Sequence, residues 1–238
     1  MEHSGIKWTS FKKCYRHTIK TRIKIKLIGI YWDCDGTLMN TESAYAYAWQ
    51  EVLKNRNLNL PLEIFDDYVG IDDKVVYQKY SSQVTLPSFS DTMDEIASII
   101  INNFNAQTLY EDAKTCLDYF HTHNWKQACV SASPQKALED KLTKAEITDY
   151  FDFILGGDSV RPRNKPFPDI YNLAISKLGT KKNIIVEDSP PGIQSGKASG
   201  NYVIAIDRGI FNKEELVAAD VIVKNLSPDL FLDISKSL

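Results

Sequence analysis

The stretch Lys26-Leu-Ile-Gly-Ile-Tyr-Trp-Asp33-Cys-Asp-Gly-Thr-Leu38 decides how the chain is read. Its first half is a short apolar run with β-branched isoleucines, the length and composition of a buried strand. Its second half breaks that run with two carboxylates one residue apart and an Asp-Gly pair, which marks an abrupt turn. Asp33 and Asp35 therefore stand at the carboxyl end of a strand, where open α/β sheets bind their ligands.

Downstream the pattern changes to helical. Tyr45, Trp49, Val52 and Leu53 recur at helical spacing between Glu42 and Leu53. Helical periods continue to about Phe120, with breaks near Pro61, Gly70 and Pro87 and no strand pattern. Strands and helices then alternate. Lys126–Val130, Phe151–Leu155, Asn183–Val186, Val203–Ile206 and Val221–Val223 read as strands. Pro134–Ala145, Asp169–Leu178 and Gly192–Ser199 read as helices between them. Such alternation predicts an α/β fold, a doubly wound parallel sheet with helices on both faces. The helical block between the first two strands is then an insertion. The expected organisation is a basic arm at 1–26, a core from 27–42 and 114–238, and a helical insertion at 43–113.

The informative residues are those just past each strand. They are Asp33 and Asp35, then Ser131, then Lys165 in the loop after the third strand, then Glu187 and Asp188. A divalent cation with a phosphate would need this set. Magnesium takes oxygen ligands and keeps several waters, so a few carboxylates suffice, and Asp33 and Asp188 are placed to serve. Asp33 can also attack phosphorus. Asp35, past the turn, can give a proton to a leaving oxygen and take one from water. Backbone N–H groups from Cys34 to Thr37 can form an anion nest, with Gly36 permitting the dihedrals of such a turn. Ser131 offers a hydroxyl and Lys165 a compact positive charge to the phosphoryl oxygens.

Asp33-Cys-Asp-Gly-Thr-Leu38, Ser131-Ala-Ser133, Lys165-Pro-Phe-Pro-Asp169 and Glu187-Asp-Ser-Pro-Pro-Gly192 resemble the four ordered motifs of the haloacid dehalogenase superfamily, and more narrowly its β-phosphoglucomutase-like branch. The resemblance runs from about Ile28 to Val223. It implies a Rossmann-like core with a helical cap and a magnesium-dependent phosphatase acting on a small phosphorylated metabolite through an aspartyl-phosphate. It implies that Asp33 is nucleophile and metal ligand, and that Asp35 is general acid/base and lends a backbone carbonyl to the metal. Ser131, Ala132 and Lys165, with the Cys34, Gly36 and Thr37 turn, would hold the phosphoryl group. Asp188 would bind the metal, with Glu187 a ligand or the partner of one. A carboxylate at Asp35 argues against the dehalogenase and phosphonate-cleaving activities of the superfamily. Mutase members carry a His matching Tyr45 and an Arg near Asp73. Neither stands here, so phosphatase is preferred to sugar phosphomutase. A non-catalytic phospho-acceptor module, which also has a strand-end Asp, a hydroxyl and a Lys, lacks the insertion.

The remaining composition sets bounds. Lys and Arg number 28 against 31 Asp and Glu, a net charge of −3 that gives no reason to expect nucleic acid as a partner. Lys7, Lys12, Lys13, Arg16, Lys20, Arg22, Lys24 and Lys26 face the single acid Glu2 and read as a solvated arm. No segment is apolar enough to span a membrane. Cys14, Cys34, Cys116 and Cys129 have neither paired nor zinc-finger spacing and read as reduced thiols of a cytoplasmic protein, expected to be a monomer. Cys34, flanked by two acids, is expected to be unreactive. Trp32 is expected in the core, and Asn40, where the resembling proteins usually carry Asp, removes a charge from the hinge region.

Overall fold

The computed structural model describes residues 28–68, 73–103 and 108–238. The basic arm at 1–26 lies outside the described residues, as does Cys14. In chain order the main elements are β1 (Ile28–Trp32), α1 (Thr41–Lys54), α2 (Asp73–Ser81), α3 (Phe89–Asn103), α4 (Glu111–Thr122), β2 (Lys126–Ser131), α5 (Gln135–Lys144), β3 (Phe153–Gly156), α6 (Asp169–Leu178), β4 (Lys182–Glu187), α7 (Pro190–Ala198), β5 (Tyr202–Ile206), β6 (Val221–Val223) and α8 (Pro228–Ser237).

All six strands are parallel, in the order β3-β2-β1-β4-β5-β6. The order reverses beside β1, so the crevice of a doubly wound sheet opens between the carboxyl ends of β1 and β4. Both faces of the sheet are covered, which is why its strands read as apolar runs instead of alternating. One face packs Trp32, Ile184 and Val186 against α4, α5 and α8, with Phe120, Leu142 and Phe231 among the contacts. The other packs Tyr31, Val130 and Ile185 against Tyr171 of α6 and Ile193 of α7.

Trp32 is fully buried, as expected, and stacks obliquely on Phe231 with ring centroids 5.3 Å apart. Its indole N–H needs a partner there and donates to the buried Gln127 Oε1 at 3.0 Å. Asn40 caps α1, accepting the Ser43 amide on its side-chain oxygen at 3.2 Å. An Asp would fill the same cap, so what Asn40 changes is charge alone.

Element boundaries differ from expectation where local chemistry is stronger than periodicity. Thr148–Tyr150 forms a 3₁₀ turn and the Asp152 amide bonds Gln127 O, so β3 starts at Phe153 and not at Phe151. Ser189 caps α7 and Pro190 starts it, two residues before Gly192. The insertion contains the 3₁₀ segment Leu62–Tyr68 as well as α-helices. Two chain crossings join it to the sheet. Asn40 N donates to Thr108 O at 2.9 Å and Tyr110 N to Leu38 O at 3.0 Å, so Met39 and Leu109 form a short antiparallel bridge that helical periodicity gave no sign of.

Candidate active site

The sheet delivers the first carboxylate directly. Trp32 pairs with Val186, and the Asp33 amide prolongs that register by donating to Val186 O at 2.9 Å. The chain then turns sharply. Leu38 and Met39 both donate to Cys34 O at 3.0 Å, and Gly36 donates to Met39 O at 2.8 Å. Gly36 adopts φ +80°, and a Cβ there would lie 2.1 Å from Asp188 Oδ2. Only glycine allows both the dihedral and the approach. The Thr37 hydroxyl then donates to Asp188 Oδ1 at 3.2 Å, fixing Asp188 against the turn. The expected anion nest changes accordingly: the Gly36 amide is used inside the turn, and what Gly36 gives the site is room for Asp188.

Asp33, Glu187 and Asp188 are all buried, with an oxygen of each within 4.8 Å of the others. Lys165 reaches this group from the loop before α6. Its three ammonium hydrogens are matched by Asp33 Oδ1 at 2.6 Å, Glu187 Oε1 at 2.6 Å and Val130 O at 3.0 Å. Glu187 also accepts from the Tyr171 hydroxyl at 2.6 Å and from Ser189 Oγ at 3.3 Å, so both its oxygens are engaged. Residues 33, 165 and 188 thus line one place, and Lys165 anchors the nucleophile candidate.

Crowding of like charges in a dry pocket shows in the acidities. Burial raises Asp33 to about 7; Lys165 opposes this, while Glu187 and Asp35 add to it. Asp188 is pushed well above the carboxylate range by burial, then by Asp33 and Glu187. Lys165 loses ground to burial, but Asp33 and Glu187 more than restore it, so it stays a firm cation. The Cys34 thiol is raised, and so unreactive, as expected. The leading cause is the adjacent Cys129 thiol, followed by burial and only then Asp35.

These shifts have a thermodynamic consequence. Folded Asp33 holds its proton up to about pH 7, whereas an ordinary aspartate releases it near 3.8. The native state therefore binds more protons across that window, and stability falls as pH rises through it. The scale is on the order of 4 kcal/mol before charge relaxation. Lys165, raised from 10.5, contributes evenly over the same range. Metal-free protein is thus expected to melt at a lower temperature at pH 8 than at pH 5. Asp33→Asn should remove part of the difference, raising the pH 8 midpoint by roughly 5 °C. Thermal unfolding of both proteins at the two pH values checks this; identical pH dependence would refute it.

Asp35 stands apart from the acidic trio. Its Oδ1 meets the Lys141 ammonium at 2.5 Å. Its Oδ2 accepts from Ser133 Oγ at 3.1 Å and from Ser131 Oγ at 3.4 Å. Ser131 Oγ also receives the Ser133 amide at 3.1 Å, and Ala132 O accepts from Asn164 at 3.0 Å. Lys141, Ser133 and Tyr171 were not among the residues selected from sequence. Lys141 left one signal: it falls on the buried Leu138, Leu142 and Ala145 stripe of α5, where a lysine is out of place. On the insertion, Trp49 packs inward, whereas Tyr45 is 37% exposed and donates to Asp73 Oδ2 at 3.4 Å.

A doubly wound parallel sheet, an acidic turn closing its central strand and a helical insertion just behind that turn define a Rossmann-like α/β protein with its candidate site at the strand ends. The chain belongs to the haloacid dehalogenase-like hydrolase family, whose model matches residues 30–206. A phosphoglycolate phosphatase of Vibrio vulnificus is 29% identical over 211 residues, covering 84% of this chain and 91% of its own. Among solved structures, a haloacid dehalogenase family hydrolase from Deinococcus radiodurans R1 with bound phosphate and sodium superposes with a TM-score of 0.69. It is 26% identical, over 88% of this chain and 96% of that one. A β-phosphoglucomutase from Clostridium difficile shares the fold at a TM-score of 0.62 and 18% identity, over 88% and 97% of the two chains.

Proposed function

We propose that this hydrolase is a Mg2+-dependent phosphatase that cleaves a small phosphorylated metabolite through an aspartyl-phosphate on Asp33. The observation that carries the reading is the division of four carboxylates into two groups. Asp33, Glu187 and Asp188 crowd together, while Asp35 is held apart on Ser131, Ser133 and Lys141. Phosphoryl transfer needs charge neutralisation on one side and proton transfer on the other, and the two groups supply one each.

The trio fits a divalent cation. Four carboxylates against the ammonium groups of Lys165 and Lys141 leave two negative charges, which one Mg2+ would balance. Burial first, and then repulsion between neighbouring carboxylates, makes Asp33 and Asp188 hold their protons more tightly than free aspartates, and a bound cation would oppose both effects. Asp33 and Asp188 would hold it, with the backbone carbonyl of Asp35. Glu187, engaged by Lys165, Tyr171 and Ser189, serves better as the partner that orients Lys165. When bound, the ion would neutralise phosphoryl oxygens and let an anionic nucleophile approach an anionic ester.

The chain's own groups do the rest. An Asp33 carboxylate oxygen attacks phosphorus as the bond to the leaving oxygen breaks, and Asp35, entering the cycle in its protonated form, gives that oxygen its proton. Asp35 then takes a proton from water, whose oxygen attacks phosphorus and frees Asp33. Ser131, the amides of Cys34, Thr37 and Ala132, and Lys165 bind the phosphoryl oxygens, Lys165 by trading one of its three partners. The helical insertion acts as the cap over the substrate.

Water is preferred as acceptor over a second sugar phosphate for an electrostatic reason. Where a mutase would carry a cation, this chain has a phenol bonded to a carboxylate, Tyr45 on Asp73. Neither of these two side chains is a cation that could hold a second phosphate. The test uses purified protein with Mg2+. p-Nitrophenyl phosphate should turn over many times, and β-glucose 1-phosphate with glucose 1,6-bisphosphate should yield little glucose 6-phosphate. Efficient isomerisation would overturn the preference, and stable stoichiometric labelling without turnover would favour a phospho-acceptor module.

A further inference from the structure

Lys141 is the one lysine on the inward stripe of α5, its side chain 13% exposed. A buried ammonium is unfavourable unless it is paired. Its charge is kept: burial pulls its acidity one way, but Asp35 ahead of other groups outweighs that and leaves it a firmer cation than a free lysine. Its hydrogens reach Asp35 Oδ1 at 2.5 Å and Ser133 Oγ at 3.3 Å, and Ser133 passes its own hydrogen to Asp35 Oδ2 at 3.1 Å. The carboxylate is therefore gripped at both oxygens, one by the ammonium and the other by two serine hydroxyls. Asp35 lies outside the trio of Asp33, Glu187 and Asp188, whose oxygens come within 4.8 Å of one another.

From this geometry we propose that Lys141 is a positioning residue for Asp35, keeping that carboxylate out of the cation site and on the side where the leaving oxygen and the attacking water pass. The proposal rests on the phosphatase reading above and adds to it a residue outside the four motifs. Without the ammonium, Asp35 keeps only hydroxyl partners. Its carboxylate, 31% exposed on the side chain, is then free to rotate toward a cation or into solvent. Lys141 touches no reacting atom; it acts by restricting where Asp35 stands.

A double-mutant cycle decides the matter, read on two phosphate esters in Mg2+ buffer. With an alkyl phosphate, Lys141→Met should lower kcat about 10- to 100-fold, part of what acid–base help supplies. p-Nitrophenolate leaves without a proton. On that ester the first-turnover burst should stay within about threefold of wild type, while the steady rate, which needs water activated by Asp35, falls. Lys141→Arg should recover most of the loss, which also guards against a folding defect in the Met variant. In an Asp35→Asn background, Lys141→Met should change nothing further, because the group it serves is gone. Equal losses in both backgrounds, equal losses in burst and steady phases, or wild-type rates for Lys141→Met would each overturn the proposal. Absence of turnover by the wild-type protein would instead sink the phosphatase reading itself.

Discussion

Asp33→Asn is expected to lower turnover by at least ~10⁴-fold and to leave no phosphorylated protein after acid quenching. The amide has the shape of the carboxylate but neither its charge nor its nucleophilicity. Its oxygen can still accept from Lys165, which keeps Glu187 Oε1 and Val130 O as well, so the ammonium is not stranded. Nor should the fold suffer. The substitution removes one member of a self-repelling buried cluster, and metal-free protein should be firmer at pH 8 for it. Loss of activity with a raised melting point separates chemistry from unfolding. A variant that retained even a few per cent of wild-type turnover would exclude Asp33 as the covalent group, and the search would move to water attack promoted by Asp35.

Most of this site was legible because it lies at strand ends. A strand buried on both faces announces itself as an apolar run, and its last residue fixes where the next carboxylate stands. Asp33, Ser131, Glu187 and Asp188 were found that way, and the parallel register of β1 with β2 and β4 brings them together. What the sequence concealed has a different cause. Lys141 and Tyr171 sit on helices, and although Lys141 falls on an apolar stripe, spacing alone does not say which group a helical side chain meets. That each side chain runs inward to a carboxylate, at Asp35 or Glu187, depends on how the helix is rolled against the sheet. The Gly36 amide was misjudged for a related reason. An Asp-Gly turn suggests free N–H groups, but only the path of residues 37–39 reveals that Met39 O claims that one. Arg208 is the same kind of case. It pairs through both terminal nitrogens with Asp112, reaches Thr37 O at 3.1 Å and lies over the Tyr110 ring, so it ties the acidic turn to the start of α4. Nothing local in its sequence announces that.

Removal of divalent metal should abolish turnover, to below about 1% of the Mg2+-saturated rate, and added Mg2+ should restore it. The deficit is electrostatic: without the ion, a phosphate dianion must approach three buried carboxylates with only Lys165 between them. The same cluster dictates how recovery depends on pH. A protonated carboxylate is a poor ligand, so metal and protons compete. Asp33 takes up its proton as pH falls through about 7, and Asp188 is shifted in the same direction. Below pH 7 the Mg2+ concentration for half-maximal rate should therefore climb roughly tenfold per pH unit for each proton displaced. Titrating Mg2+ into metal-stripped protein at pH 6, 7 and 8 provides the check, with the saturated rate recorded separately from the half-saturation point. A half-saturation point that did not move between pH 6 and 8 would mean that the ion sits elsewhere than on Asp33 and Asp188. Full activity in metal-free buffer would mean that no ion is needed, and the buried trio would then have to be explained as an Asp33 whose charge is balanced by Lys165 alone.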